Sequence, residues 1–448
     1  MKKTLLHRGL ALAASGCAMV GLMAGLAPPA HAAAASTQIV VGGSDTIQNV
    51  SDPIMADAQT AVNGTTIGGS TVSIATTNLH AAVGAGQPDL TYVIPSGTNC
   101  TASHTYTTNS SPPAGQFQAP NGSGAGIAAM VAAEAGNYPA SGAGTGCISI
   151  GRSSNGPKGA VADGSANLLF NAFALDAVSY ATPSIYAPAT MTQAQLQGIY
   201  NCTFTDWGQV GGIAGHAIQR YLPQASSGTR KFFISSLLGG ADPTLVSSST
   251  PPAGSTFACP AVIVTQLDNA GKPLEENTGN ELDAAGYQTA IIPYSVGQWV
   301  FQANNHLNPT LDLRNGIKIG GVTPVSSGAV NYLRWNTSGV WEPNSVNGAN
   351  PAAPINEVET AEYIAANGSP ATVYPGIRYV WYVLDTANPN FPITQAMVGF
   401  NNVPSGAKSA LCSNAERGNL SSSGFSPLPA AGGGNANLAG STCRNYGA

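Results

Sequence analysis

Short apolar runs alternate along the chain with short helical stretches, and turns rich in glycine and hydroxyl residues stand between them. TQIVV at 37–41 reads as a strand that leads through GGSDT at 42–46 into a helical run, with Pro53 as an interruption or restart. VSIA at 72–75 is strand-like, and residues 86–120 form a polar stretch rich in Thr, Ser, Pro and Asn. NGSGAG at 121–126 opens a helix over 127–135, stopped by Gly136, and CISI at 147–150 is a buried strand ending at GRSS, 151–154. LLFNAFALDAVSY at 168–180 reads as a buried strand with Asp176 as its one charged residue. Thr192 and Gln195 make a capping-box signature for a helix to Tyr200. Strands follow near 218–222, 262–264 and 288–292, and helices over 230–238 and 294–301. The final third carries strands near 317–319 and 379–384, then a glycine-rich polar tail past Ser405. Strand, small-residue turn and helix thus recur three or four times, which predicts an α/β fold with mostly parallel sheets and not a β-sandwich.

Composition narrows the surface. Only 8% of the 448 residues are charged, against about 25% in an ordinary domain, while 43% are hydrophobic. Ser, Thr, Asn, Gln and Gly must therefore face water, which excludes a basic nucleic-acid binder and a charged coiled coil. The length suggests roughly two to three domains.

Residues 1–32 have the layout of an export signal. Lys2, Lys3 and Arg8 precede an apolar stretch over 10–26, and Ala30, His31 and Ala32 supply a small-x-small cleavage site. The expected mature protein is secreted, periplasmic or cell-surface. A lipid-anchored alternative uses Cys17 in ASGC, although Ala14 stands where a larger aliphatic residue is favoured. Loss of the leader leaves 13 basic against 21 acidic residues, net −8, so an anionic ligand would have to be held by local dipoles and not by overall charge. Six cysteines remain, Cys100, Cys147, Cys202, Cys259, Cys412 and Cys443, and in an exported chain they read as three disulfides with nearest-neighbour pairing expected.

Three turns share one design: GSDT at 43–46, GSG at 122–124 and SSGT at 226–229 each join a strand to a helix through small hydroxyl residues. Free N–H groups and the positive end of the helix dipole meet at such a turn, and hydroxyls add donors. Ser and Thr are also ordinary helix caps, so the argument lies in the number of such turns, with GRSS at 151–154 as a fourth. A tetrahedral oxyanion needs donors that converge from several directions.

In this order GGSDTIQ, NGSGAG, GRSS, LDAVSYA, IYNCTFTDWGQVGG, IQRYLPQASSGTRKFF and IIPYSVGQWVF resemble the phosphate-binding proteins of phosphate ABC transporters, over roughly residues 39–301. The resemblance implies a two-lobe α/β fold of the type II periplasmic-binding-protein class with two hinge crossings. The lobes would be 33–173 with 295–448, carrying the insertion 86–120, and 174–294. It also implies phosphate-binding roles for Asp45, Thr46, Ile47, Ser123, Ser154, Ser227, Gly228 and Thr229, with Arg220 or Arg230 as the cation. Ser154 stands where the family often has an aspartate, which leaves Asp45 as the candidate acceptor for a phosphate proton, or as a helix cap.

The leading function is capture of inorganic phosphate, or a similar oxyanion, by a monomer that presents it to an ABC permease, without catalysis, cofactor, metal or nucleic acid. A secreted hydrolase is the runner-up. It would need a base, and the mature chain offers only His80, His104, His216 and His306, with no G-x-S-x-G, Walker or H-E-x-x-H motif. A third reading keeps the fold for another oxyanion or for none. Trp207, Tyr200, Trp299, Tyr379, Trp381 and Tyr382 are expected to pack the core, and Asp176 to have a structural partner.

Overall fold

A computed structural model describes residues 36–81, 83, 87–97, 103–134, 147–156, 167–264, 274–282, 287–323, 333–335, 341–343, 376–399, 411, 416, 419–420, 422–427 and 445–446. The export signal and Cys100, Cys412 and Cys443 lie outside these residues.

The path of the main sheet is formed by β1 (Thr37–Gly43), β2 (Ile74–Asn78), β3 (Ile148–Ser153), β4 (Leu168–Thr182), β5 (Gln219–Arg220), β6 (Ala290–Ser295) and β7 (Ile377–Asp385), and the short strands Lys318–Ile319, Ser426–Pro427 and Asn445–Tyr446 also pair with β4. Their order is β5-β6-β4-β7-β3-β1-β2. Pairing is parallel within each flank, where β1 joins β2 and β3 and where β5 joins β6. It is antiparallel in the middle, where β7 joins β3 and β4, and β6 joins β4. The architecture is therefore mixed α/β, parallel in the strand–turn–helix units and antiparallel where the chain crosses between its halves.

β4 makes the crossing. Over Leu168–Ala177 it pairs with β7, and over Val178–Ala181 with β6, so one 15-residue strand belongs to both halves of the sheet. A strand buried on both faces reads as a nearly continuous apolar run, which is why LLFNAFALDAVSY was legible as one element.

The helices are α1 (Gln48–Val62), α2 (Ser123–Glu134), α3 (Gln193–Tyr200), α4 (Gly228–Phe232), α5 (Val296–Asn304) and α6 (Phe391–Val398). α1 runs through Pro53 at its sixth position, where the ring removes the helical hydrogen bond to Asn49 O. Thr192 and Gln195 close the capping box at the start of α3. The expected helix over 230–238 is α4 followed by a π-helical turn at Phe233–Leu237. Val262–Val264 contribute a single bridge, Ile263 to Tyr221. The insertion holds a small three-stranded sheet, Thr91–Ile94, His104–Thr107 and Phe117–Gln118.

One core joins Ile39, Val41, Ile54, Phe173, Tyr382 and Met397, so that α1 and α6 cover the same region of the sheet. The other runs from Val40, Ile148 and Met130 through Tyr180 and Trp299 to Tyr200, Trp207 and Phe233. Cys202 and Cys259 are bonded, with Cα atoms 5.5 Å apart, and Cys147 is also in a disulfide. The described residues from Ser36 onward pack as one compact unit.

A close approach of two backbones positions the site. A Cβ on Gly126 would lie 2.4 Å from Gly43 Cα and 2.8 Å from Gly42 O, so only glycine lets the first turn of α2 rest on the end of β1.

Candidate functional site

The C-terminal end of β1 runs into a 3₁₀ turn, Asp45–Ile47, before α1, and Asp45, Thr46 and Ile47 are all buried there. Ser123 begins α2, and its Oγ accepts a hydrogen bond from Ser154 N at 3.0 Å and lies 3.2 Å from Ser154 Oγ. Ser227 caps α4 by accepting from Arg230 N at 3.0 Å. A Cβ on Gly228 would meet Ser123 Oγ at 2.4 Å and Ser154 Oγ at 2.5 Å, so the third turn is pressed against the second. Ser226 Oγ, donating to Asn121 O at 2.9 Å, ties the same two turns together.

The hydroxyls form a directed chain. Arg378 Nη2 donates to Thr229 Oγ1 at 2.7 Å, and Thr229 Oγ1 lies 3.1 Å from Thr46 Oγ1. Thr46 donates to Glu276 Oε1 at 3.1 Å, and Ser227 Oγ donates to Glu276 Oε2 at 2.9 Å. A guanidinium has donors only and a carboxylate acceptors only, so the chain starts at Arg378 and ends at Glu276. Thr46 follows β1, whereas Thr229, Ser227 and Glu276 belong to the half of the sheet around β5 and β6; the chain therefore spans the two halves.

Arg378 lies on β7 opposite Asp176 on β4, with Nη2 2.7 Å and Nε 3.1 Å from Asp176 Oδ2. Asp176 also accepts from Ser295 Oγ and from Gly297 N, at the start of α5. The buried aspartate of the crossing strand thus fixes both the site's guanidinium and the return of the chain into α5.

Three carboxyls meet at the far end of the chain. Asp45, Glu275 and Glu276, all buried, bring carboxylate oxygens within 4.8 Å of one another. Asn121 Nδ2 donates to Glu275 Oε1 at 2.6 Å, and Glu281 Oε2 accepts from Glu275 N at 2.7 Å. Apart from its own backbone N–H, Asp45 receives no amide, hydroxyl or cationic donor among the described residues, and its carboxyl meets that of Glu276. Burial, then the charges of Glu276 and Glu275, holds the Asp45 carboxyl well above the usual carboxylate range. Burial, then the charges of Glu281 and Glu276, does the same to Glu275.

The structure thus brings together Asp45, Thr46, Ile47, Ser123, Ser154, Ser227, Gly228 and Thr229 from the sequence analysis. Two arginines are engaged elsewhere. Arg220 is buried with both terminal nitrogens of its guanidinium on backbone carbonyls, Tyr200 O at 2.5 Å, Val246 O at 2.6 Å and Pro260 O at 2.5 Å. Arg230 donates to Pro223 O at 3.0 Å. The cation that donates to Thr46 and Thr229 is Arg378, in a strand for which the sequence reading assigned only aromatic packing. Glu275 and Glu276 were passed over as well, since adjacent glutamates in a polar stretch look like a solvated loop. Among the described residues these and Asn121 are the site groups the sequence reading did not name, and only long-range contacts reveal them.

No protein-family model matches the sequence, and none of the curated proteins does. Solved structures are similar at low identity. An ABC-type phosphate transport receptor from Vibrio cholerae is 15% identical, covering 87% of this chain and 100% of its own, at a TM-score of 0.41. A human phosphate binding apolipoprotein is 14% identical, over 87% of this chain and 91% of its own, at 0.44. A phosphate binding protein from Stenotrophomonas maltophilia is 17% identical, over 71% and 85%, at 0.38.

Proposed function

We propose that the chain is an exported binding protein that captures inorganic phosphate between two lobes, 33–173 with 295–448 and 174–294, and delivers it to an ABC permease. The observation that carries this reading is the convergence of Thr46, Ser123, Ser227 and Thr229, at the starts of three helices, with the buried Arg378. Three helix starts and one guanidinium converge from four directions, as a tetrahedral oxyanion needs, with Thr46 and Ser227 turning their protons from Glu276 to the anion, and the helix dipoles add positive potential without net charge. Glu276 and Asp45 add acceptors, which a protonated oxyanion satisfies by donating and a fully deprotonated sulfate does not.

A nucleophilic role for Ser227 or Ser123 has less support. Their hydroxyls meet Glu276, Arg230 N and the two polar groups of Ser154, whereas His80 pairs with Asp52, His216 stacks on Tyr186 and His306 contacts Ala303 O.

Isothermal titration of protein stripped of anion, with phosphate and then sulfate, tests the proposal. Micromolar or tighter phosphate binding with weak sulfate binding is expected. Equal affinity would make the protein a general oxyanion binder, and no heat with either from folded protein would sink the capture reading.

A further inference from the structure

We propose that the site takes up protons together with its anion, through the carboxyls of Asp45 and Glu275 packed on Glu276. The inference rests on the anion-capture reading above and adds to it a regulation by pH. The geometry that carries it is the meeting of three buried carboxyls from two segments, within 4.8 Å, at the acceptor end of the hydroxyl chain. Glu276 is committed as acceptor to Thr46 and Ser227. Asp45 meets Glu276 and Glu275 carboxyl to carboxyl and takes no hydrogen bond from another residue's amide, hydroxyl or cationic group among the described residues, while Glu275 has one oxygen on Asn121. Three carboxylates so placed cannot all carry charge in a dry interior, and the raised proton affinities of Asp45 and Glu275 have that cause. An anion arriving beside them adds further negative charge, which favours the protonated carboxyls again.

The other charged groups around the cluster do not cancel this field. Glu281, on the same segment as Glu275, adds to it. Arg378, from β7, is neutralised by Asp176, from β4. Arg152, on β3, donates to Ser44 O and to Leu79 O and attracts Asp45, but burial and the charges of Glu276 and Glu275 outweigh that pull. Lys231, on α4, has its Nζ beside Gly124, 3.4 Å from where a Cβ would stand, at the start of α2.

Sign follows from linkage: a complex that binds protons more tightly than the free protein loses affinity as pH rises. For about one proton taken up per anion, phosphate affinity falls about tenfold per pH unit, beyond the titration of phosphate itself. Asp45→Asn and Glu275→Gln keep the shape and the ligand's own titration and remove the protein's share.

The experiment is isothermal titration with inorganic phosphate in buffers of different ionisation enthalpy, at several pH values and with chelator present, on the wild type and on both variants. A proton count larger in the wild type than in the variants, with a steeper fall of affinity as pH rises, is expected. Equal counts and equal slopes would overturn the proposal, as would phosphate binding that requires an added divalent cation. An infrared pH titration of the ligand-free protein separates this from failure of the capture reading. A protonated-carboxyl band that grows as pH falls through neutrality, and that Asp45→Asn or Glu275→Gln removes, shows a carboxyl still able to take up a proton even where phosphate gives no heat, whereas a band already at full strength throughout that range would overturn the uptake. Absence of the band, with no buffer dependence, refutes it.

Discussion

Arg378 and Asp176 stand opposite each other in register on β7 and β4, Nη2 2.7 Å from Oδ2, and both side chains are buried. The pair sits where β4 passes from one half of the sheet to the other, and Arg378 reaches from it to Thr229 and Thr46. Removing one partner leaves a buried charge uncompensated. Asp176→Ala should therefore cost about 3–5 kcal/mol, read as a lowered denaturation midpoint. The double change Asp176→Leu with Arg378→Met should cost less than Asp176→Ala alone, because no unpaired charge then remains. A double variant as destabilised as the single one would show that the damage is steric.

The bond between Cys202 and Cys259 closes a loop of 57 residues that contains Arg220 and the carbonyls of Pro243 and Val246 that it binds. Replacing both cysteines by serine should lower stability by about 2–5 kcal/mol, with no change in the affinity of the protein that remains folded. Chemical denaturation with and without reductant measures the first effect and anion titration the second.

Glu416, beside Asn419 and Asp57, is pushed up to about 7 by burial. Its folded value lies above the unfolded one, so the stability it contributes is fully present below the unfolded value and is lost as pH rises through about 7. Glu416→Gln should flatten the decline in melting temperature across that window relative to the wild type. Parallel melting curves against pH for the two proteins would contradict this.

What could be read from the chain before its structure follows the range of the interactions. The turn SSGT was legible because a helix cap is a local device, and Ser227 does cap α4 with its own Oγ. The strand over 168–180 was legible because burial on both faces leaves a continuous apolar run. The antiparallel centre of the sheet was not, since nothing in a single strand records the direction of its partner. Arg378 was hidden for the same reason: it is 149 residues from Thr229 and 202 from Asp176, and lies within a strand that otherwise reads as core. The glutamates at 275 and 276 were hidden because their burial is imposed by Asp45 and Asn121, from distant turns.

Gly228 tests how tightly the turns are joined. A methyl group there would fall 2.4 Å from Ser123 Oγ and 2.5 Å from Ser154 Oγ, both on short buried side chains with little room to move. Gly228→Ala should separate the second and third turns, costing about 1–3 kcal/mol as overpacking does, and weaken phosphate more than it weakens folding. Unchanged affinity would mean that the two turns do not share a ligand.

Arg220 and Arg378 distinguish a structural arginine from the one proposed to hold the anion. Arg220 is enclosed by the carbonyls of Tyr200, Val246 and Pro260, which would be left without donors by its removal. Arg220→Ala should therefore lower the denaturation midpoint strongly, by several kcal/mol given three orphaned acceptors at about 1–3 kcal/mol each, while protein still folded keeps its affinity for phosphate. Arg378→Lys retains the charge but not the planar fork that serves Asp176, Thr229 and Thr46 at once. It should reduce phosphate affinity by at least about tenfold, the loss of one charge-assisted hydrogen bond, with a smaller effect on stability than Asp176→Ala. If instead Arg220→Ala abolishes binding in folded protein and Arg378→Lys leaves it intact, the cation of the site is the one on β5, and the hydroxyl chain from Arg378 to Glu276 only holds the two halves of the sheet together.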